Sequence, residues 1–209
     1  MKTKTFLFSG IFILLFSIFA FTLLEGEKYK TLEIGSAALK TDVKMKDISG
    51  KELSLNDAKK DNGLLVIFSC NTCPFVIQWE DRYPKLGEQC EKNNIGMVLI
   101  NSNEAKRDKA DSMDEMKKHA EEKSYNCSYV VDEKSAVANA FGAKTTPHVF
   151  LFDKDLKLVY EGAIDDNSKD VKEVKKPYLN NAISNLISGK KIDPNNTKSI
   201  GCSIKRVKS

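Results

Sequence analysis

The sequence predicts an α/β fold: a mixed central sheet flanked by helices. Three observations carry that prediction. Strand-like and helix-like runs alternate through the middle of the chain, the pattern of parallel strands joined by crossover helices. Two apolar runs near the end, 148–152 and 156–161, flank the turn Lys154-Asp155 and read as an antiparallel pair. The first buried run, Leu64-Leu65-Val66-Ile67-Phe68, leads into Cys70-Asn71-Thr72-Cys73-Pro74, where continuous apolar residues give way to helical spacing.

Each element has its own signal. Val43 and Met45 alternate with lysines, and Ser49-Gly50 turns the chain toward Leu53 and Leu55, predicting an N-terminal edge hairpin. A strand at 64–69 precedes a helix over 73–92, on which Phe75, Val76, Trp79, Tyr83, Leu86 and Cys90 share a face. Pro84 inside that pattern predicts a kink. Ile95 to Ile100 is the next strand. Ser112 and Glu115 form a capping-box pattern for a helix carrying Met113, Met116 and Ala120. Tyr129 to Val131 is a short strand with Cys127 at its start. Val137 to Phe141 is a helix stopped by Gly142. After the strand pair, a helix begins at Pro177, buries Leu179, Ala182, Ile183, Leu186 and Ile187, and ends at Gly189.

The chemistry gathers at the dithiol. Two residues between Cys70 and Cys73 let their sulfurs meet within one turn. A helix start supplies unpaired N–H groups and a positive dipole end, which favour a thiolate. One thiol is then a nucleophile and the other its resolving partner. The spacing leaves open which is which. Downstream, Thr145-Thr146-Pro147 opens the strand His148-Val149-Phe150-Leu151-Phe152. Zinc ribbons also use Cys-x-x-Cys. Strand, dithiol, helix and a later Thr-Pro in this order point to redox chemistry instead.

On these residues the chain resembles the thioredoxin superfamily, in particular its exported thiol–disulfide oxidoreductases and the peroxiredoxin-like (redoxin, AhpC/TSA-type) proteins that carry a Cys-x-x-Cys. The resemblance spans about residues 33–206 and includes Val98-Leu99-Ile100-Asn101-Ser102-Asn103, Tyr129-Val130-Val131-Asp132 and the tail Gly201-Cys202-Ser203-Ile204-Lys205. It implies a thioredoxin-like fold in which the helix near 112–122 and the strand near 128–131 form an α-β insertion between the dithiol and a cis-Pro at Pro147. It implies Cys70 and Cys73 as catalytic residues. Thr146 and Pro147 would offer a backbone edge on which an extended substrate pairs. The thioredoxin pattern makes Cys70 the attacking sulfur. The peroxiredoxin pattern puts Cys73-Pro74 in the peroxidatic place, with Cys70 where a threonine stands.

The sequence departs from both patterns. Ile67 stands where many thioredoxins place a buried acid, and Glu80 and Glu104 are the candidates to replace it. Ser69 replaces a frequent tryptophan. No arginine lies between residues 108 and 205, which weakens a peroxidase reading. A copper-binding assembly factor of the same fold typically has Cys-x-x-x-Cys and a distant histidine, so the tighter spacing argues against it. Asn101 and Asn103 end a strand on the dithiol side, where α/β sheets bind ligands, and a capping or turn role suits them equally. His148 reads as a half-exposed strand residue, His119 as part of a polar helix face, and Trp79 and Phe75 as core.

Composition frames the rest. The 209 residues fit one domain plus extensions, divided here as 1–26, 27–190 and 191–209. Lys2 and Lys4 precede an apolar run, Phe6 to Leu24, that reads as a signal peptide or membrane anchor. Export is the expectation, periplasmic or membrane-anchored with the domain outside the cytoplasm. The net charge of +4, half of it from those two lysines, is no nucleic-acid footprint. The five cysteines leave three beyond the dithiol. Cys90 and Cys127 read as small buried hydrophobes. Cys202, in a polar tail, is an accessory candidate able to trap an oxidised Cys73 or Cys70. No metal or cofactor is implied. The expected partners of a monomer are protein thiol or disulfide substrates and an upstream electron donor.

Overall fold

A computed structural model describes residues 29–207. The apolar segment at 6–24 lies outside the described residues. Among those described, no helix is long and apolar enough to cross a membrane.

The elements run β1 (Met45–Asp47), β2 (Glu52–Leu53), α1 (Leu55–Ala58), β3 (Leu64–Ser69), α2 (Pro74–Trp79), α3 (Tyr83–Lys92), β4 (Gly96–Asn101), α4 (Met113–Glu122) and β5 (Ser128–Val131). They continue with α5 (Ala136–Phe141), β6 (Thr145–Thr146), β7 (His148–Phe152), β8 (Leu158–Gly162), α6 (Tyr178–Ile187) and β9 (Cys202–Ser203). Seven strands form one mixed sheet in the order β2-β1-β5-β4-β3-β7-β8, and β6 pairs with β9 apart from it. The expected hairpin, β1–β2, is an edge of the sheet. The β3 strand sits centrally, parallel to β4 and antiparallel to β7, with Phe68 opposite both Ile100 and His148.

Helices cover both faces of the central strands, which is why β3 reads as an unbroken apolar run. Leu65 and Ile67 face Val76, Trp79, Tyr83 and Leu86 of α2 and α3, together with Leu179 and Ile183 of α6. Leu64, Val66 and Phe68 face the other core, where Phe141 of α5 meets Phe68, Phe150 and Phe152 edge-on with ring centroids 5.3–5.6 Å apart. That edge-to-face geometry adds to the burial of each ring. Gly142 ends α5 with φ +61°, and a Cβ there would stand 2.0 Å from the Lys30 carbonyl oxygen. Both facts require glycine.

Several details differ from expectation, each for a local reason. The helix over 73–92 is two helices separated by a 3₁₀ turn at Glu80–Arg82. Pro84 lies in the first turn of α3, where its missing N–H costs no helical bond, so it begins a helix rather than kinking one. Ser112 Oγ accepts from the Glu115 amide at 3.3 Å. A reciprocal capping box forms instead at Ser54, whose Oγ accepts from the Asp57 amide while Asp57 accepts from the Ser54 amide. Ile187 is exposed, since α6 lays only its Leu179, Ala182 and Ile183 side fully onto the sheet. Cys90 is buried as expected, whereas Cys127 precedes β5 and is half-buried.

Candidate active site

The dithiol lies at the C-terminal end of β3, where the chain leaves the sheet and enters α2. Cys73 is the N-cap residue of α2 and Pro74 its first helical residue. Proline there is preset for a helix and gives up only an N–H that would have been unpaired. Both cysteines are unbridged and nearly covered, Cys70 at 2% and Cys73 at 5% relative exposure. Each touches Thr146. Cys70 Sγ is 3.3 Å from the Thr146 hydroxyl, and Cys73 Sγ is 3.1 Å from the Thr146 carbonyl oxygen. The Thr146–Pro147 peptide is cis, as the resemblance implied.

The two thiols are electrostatically unlike. A hydrogen bond from the Cys70 thiol holds Cys73 well below an ordinary thiol, at about 4. Burial opposes this, and the Cys202 thiol, the Val76 amide and Thr146 add to it. Cys70 is pushed the other way, first by that same bond to Cys73, then by its own burial, with the Asp111 charge contributing. The two shifts run in opposite directions, so Cys73 is the more acidic thiol of the pair.

A buried network holds the loop between the cysteines. The Asp111 carboxylate accepts from the Asn71 amide at 2.9 Å, from Asn101 Nδ2 at 2.8 Å and from Asn103 Nδ2 at 3.0 Å. Asn71 Nδ2 donates to the Ala110 carbonyl at 2.8 Å, and the Tyr129 hydroxyl donates to Asn71 Oδ1 at 2.9 Å. Asn101 and Asn103 thus serve as braces: Asn103 lines the cleft above the sulfurs, and both spend their side-chain amides on Asp111. Sequence reasoning missed Asp111, which sits among Asp108, Lys109 and Ser112 in what reads as solvated surface. It is fully buried.

Other expected roles shift. His148 is buried, its ring engaged by Glu161, which also accepts from Asn196 Nδ2 at 2.7 Å. His119 is mostly covered and meets the buried Glu80 at 2.7 Å, with Lys123 on the other carboxylate oxygen. Glu80 is a buried acid committed to those partners and to the Tyr125 hydroxyl, and it does not line the dithiol cleft. Glu104 accepts from the Lys134 amide at the surface. Trp79 is core, with its indole N–H on Asp165 at 2.7 Å, and Phe75 packs at the core's margin.

The backbone edge beside the cis-Pro is also not left free. The tail strand β9 pairs antiparallel with β6, Cys202 opposite Thr146 and Ser203 opposite Thr145. A cleft of about 230 Å³ remains over the sulfurs, lined by Cys70, Cys73, Thr146, Cys202, Lys106 and Lys205 among others.

This fold and this Cys-x-x-Cys pair define a thioredoxin-superfamily protein of the redoxin type. The family model for the AhpC/TSA family matches residues 34–161, and the chain belongs to that family. It is similar to an uncharacterized conserved protein from Geobacillus kaustophilus, at 34% identity and TM-score 0.79, over 86% of this chain and 95% of that one. A hypothetical protein from Sinorhizobium meliloti 1021 matches at 29% identity and TM-score 0.78, over 86% and 98%. The thioredoxin domain of a thiol-disulfide oxidoreductase from Bacteroides vulgatus shares the fold, at 21% identity and TM-score 0.54, over 64% and 90%. No curated protein matches the chain.

Cysteine is an acid, so a lowered pKa means the reactive anion is present at neutral pH. Alkylation of the reduced protein should modify Cys73 first, at a rate nearly flat from about pH 6 to pH 8. A Cys73 rate that climbs about tenfold per pH unit toward the free-thiol value near 8.5 would contradict the assignment.

Proposed function

We propose that the protein is a thiol–disulfide oxidoreductase that exchanges a Cys70–Cys73 dithiol with protein disulfides. The observation that carries this reading is the placement of two buried cysteines at the end of β3, Cys73 at the N-cap of α2 and both sulfurs within 3.3 Å of Thr146 beside the cis-Pro, with Cys73 lowered and Cys70 raised. The Cys73 thiolate attacks one sulfur of a substrate disulfide and expels the other as a thiolate, which takes a proton from solvent. Cys70 then attacks Cys73, closing the Cys70–Cys73 disulfide and releasing the second substrate thiol with the Cys70 proton. Two electrons pass to the substrate, and a separate donor restores the dithiol. Every step is reversible. A stabilised thiolate favours the reduced form, so the disulfide is a comparatively strong electron acceptor. Thr146 and Pro147 position the sulfurs, and Asp111, Asn101 and Asn103 fix the loop between them.

A thiol peroxidase would use the same Cys73 thiolate. The cations around the cleft, Lys106 and Lys205, are lysines, while Arg107 and Arg206 are spent on main-chain and side-chain partners elsewhere. A lysine offers a point charge and no planar fork with which to polarise a peroxide. That difference favours disulfide exchange. The purified domain should reduce insulin disulfides with dithiothreitol as donor, lose that activity in Cys73→Ser, and turn over hydrogen peroxide far more slowly. Fast peroxide turnover without insulin reduction would reverse the reading.

The domain acts outside the cytoplasm in this proposal, delivered by the segment Phe6 to Leu24 behind Lys2 and Lys4, either cleaved or retained as an anchor. A C-terminal alkaline phosphatase fusion should be active. An inactive fusion alongside an active cytoplasmic reporter at the same site would place the domain inside.

A further inference from the structure

The tail is built into the site. Ile204 is buried in the core that contains Phe68 and Phe141, and its amide donates to the Lys144 carbonyl at 3.1 Å. The Lys205 amide donates to Asn103 Oδ1 at 2.8 Å, and the Ala105 amide returns a bond to the Lys205 carbonyl. Arg206 donates to Asn139 Oδ1 and to the Ala143 carbonyl. On the other side of Cys202, Gly201 lies so close to β6 that a Cβ would stand 2.3 Å from the Thr146 carbonyl oxygen. That oxygen is the one the Cys73 thiol meets. Cys202 is therefore fixed from both sides, half-buried, and opens into the same cleft as Cys70 and Cys73.

We propose that Cys202 is a third redox-active residue, a second resolving thiol that forms a disulfide with Cys73. The geometry chooses Cys73 over Cys70 as its partner. Cys202 pairs across from Thr146, whose carbonyl oxygen lies 3.1 Å from Cys73 Sγ, and the Cys202 thiol is itself raised, first by burial and then by its hydrogen bond to Cys73. This step rests on the exchange reaction proposed above. After Cys73 has taken a substrate sulfur, Cys202 attacks Cys73, releases the substrate thiol with its own proton, and leaves a Cys73–Cys202 disulfide. Cys70 attacks Cys73 in turn, forms Cys70–Cys73 and returns Cys202 to the thiol. The second exchange consumes no further oxidant, because one disulfide is broken for each one formed. A mixed disulfide at Cys73 thus has two intramolecular exits, one from β3 and one from the tail.

The test uses Cys70→Ser, which removes the first exit. Reduced Cys70→Ser is mixed with oxidised glutathione, quenched with acid, and mapped by peptide mass spectrometry. The expected result is a Cys73–Cys202 disulfide with loss of the glutathione adduct at Cys73. The double variant Cys70→Ser/Cys202→Ser should retain that adduct. An adduct that persists equally in both variants would overturn the role of Cys202 while leaving the Cys73 exchange reaction standing. A Cys73 that acquires no glutathione in either folded variant would overturn the exchange reaction and this step with it. If Cys70→Ser does not fold, the wild-type protein is mapped across a glutathione redox series. A Cys73–Cys202 peptide beside Cys70–Cys73 supports the proposal, and its absence at every ratio contradicts it.

Discussion

The structure is organised around two buried sulfurs whose acidities are pulled apart, Cys73 downward and Cys70 upward. Moving a charge out of water is costly unless neighbours supply the hydrogen bonds that water did. Here the Cys70 thiol is the principal donor to Cys73, and Cys202, the Val76 amide and Thr146 complete the shell. None of these groups belongs to the same element: they come from the end of β3, the first turn of α2, β6 and the tail. The sheet order that sets β3 between β4 and β7 is what brings them together.

Stability and reactivity meet in the loop Cys70-Asn71-Thr72-Cys73. Asp111 compensates its own burial by taking three N–H donors, one from that loop, one from the last residue of β4 and one from Asn103 just beyond it. Arg107 ties the same region through the carbonyls of Asn101 and Asp111 at 2.8 and 2.7 Å. Buried networks of this kind work as a unit, since one missing partner strands the others without water. The Asp111 charge also raises Cys70, which helps keep its proton in place beside the ionised Cys73.

The fold and the dithiol were legible because their signals are local. A buried strand announces itself as an apolar run, an N-terminal proline marks a helix start, and two cysteines at this spacing can meet only within one turn. Gly142 was legible for the same reason, as a helix stop. What stayed hidden depends on long-range pairing. Asp111 lies in a charged stretch and is buried only because the Asn101–Asn103 segment closes over it. His148 finds Glu161 across a strand pair, and His119 finds Glu80 from another helix. The break falls before Pro84 and not at it, because the backbone tightens into a 3₁₀ turn at Glu80–Arg82 while the apolar period continues through it. The path of the tail is not legible either: among the described residues 190–207 Ile204 is the one buried side chain, and only the sheet shows where it fits.

The central claim is that Cys70 and Cys73 form one reversible two-electron couple. Thiol trapping of the wild-type protein across a graded glutathione series, with each cysteine assigned by mass spectrometry, tests it most directly. Cys70 and Cys73 should protect each other from alkylation along one two-electron curve, at a potential above the roughly −270 mV of thioredoxin. Cys90 should stay reduced throughout, buried in the core with its thiol pushed up to about 12 by that burial. If Cys70 and Cys73 are never linked to each other at any ratio, the account is wrong.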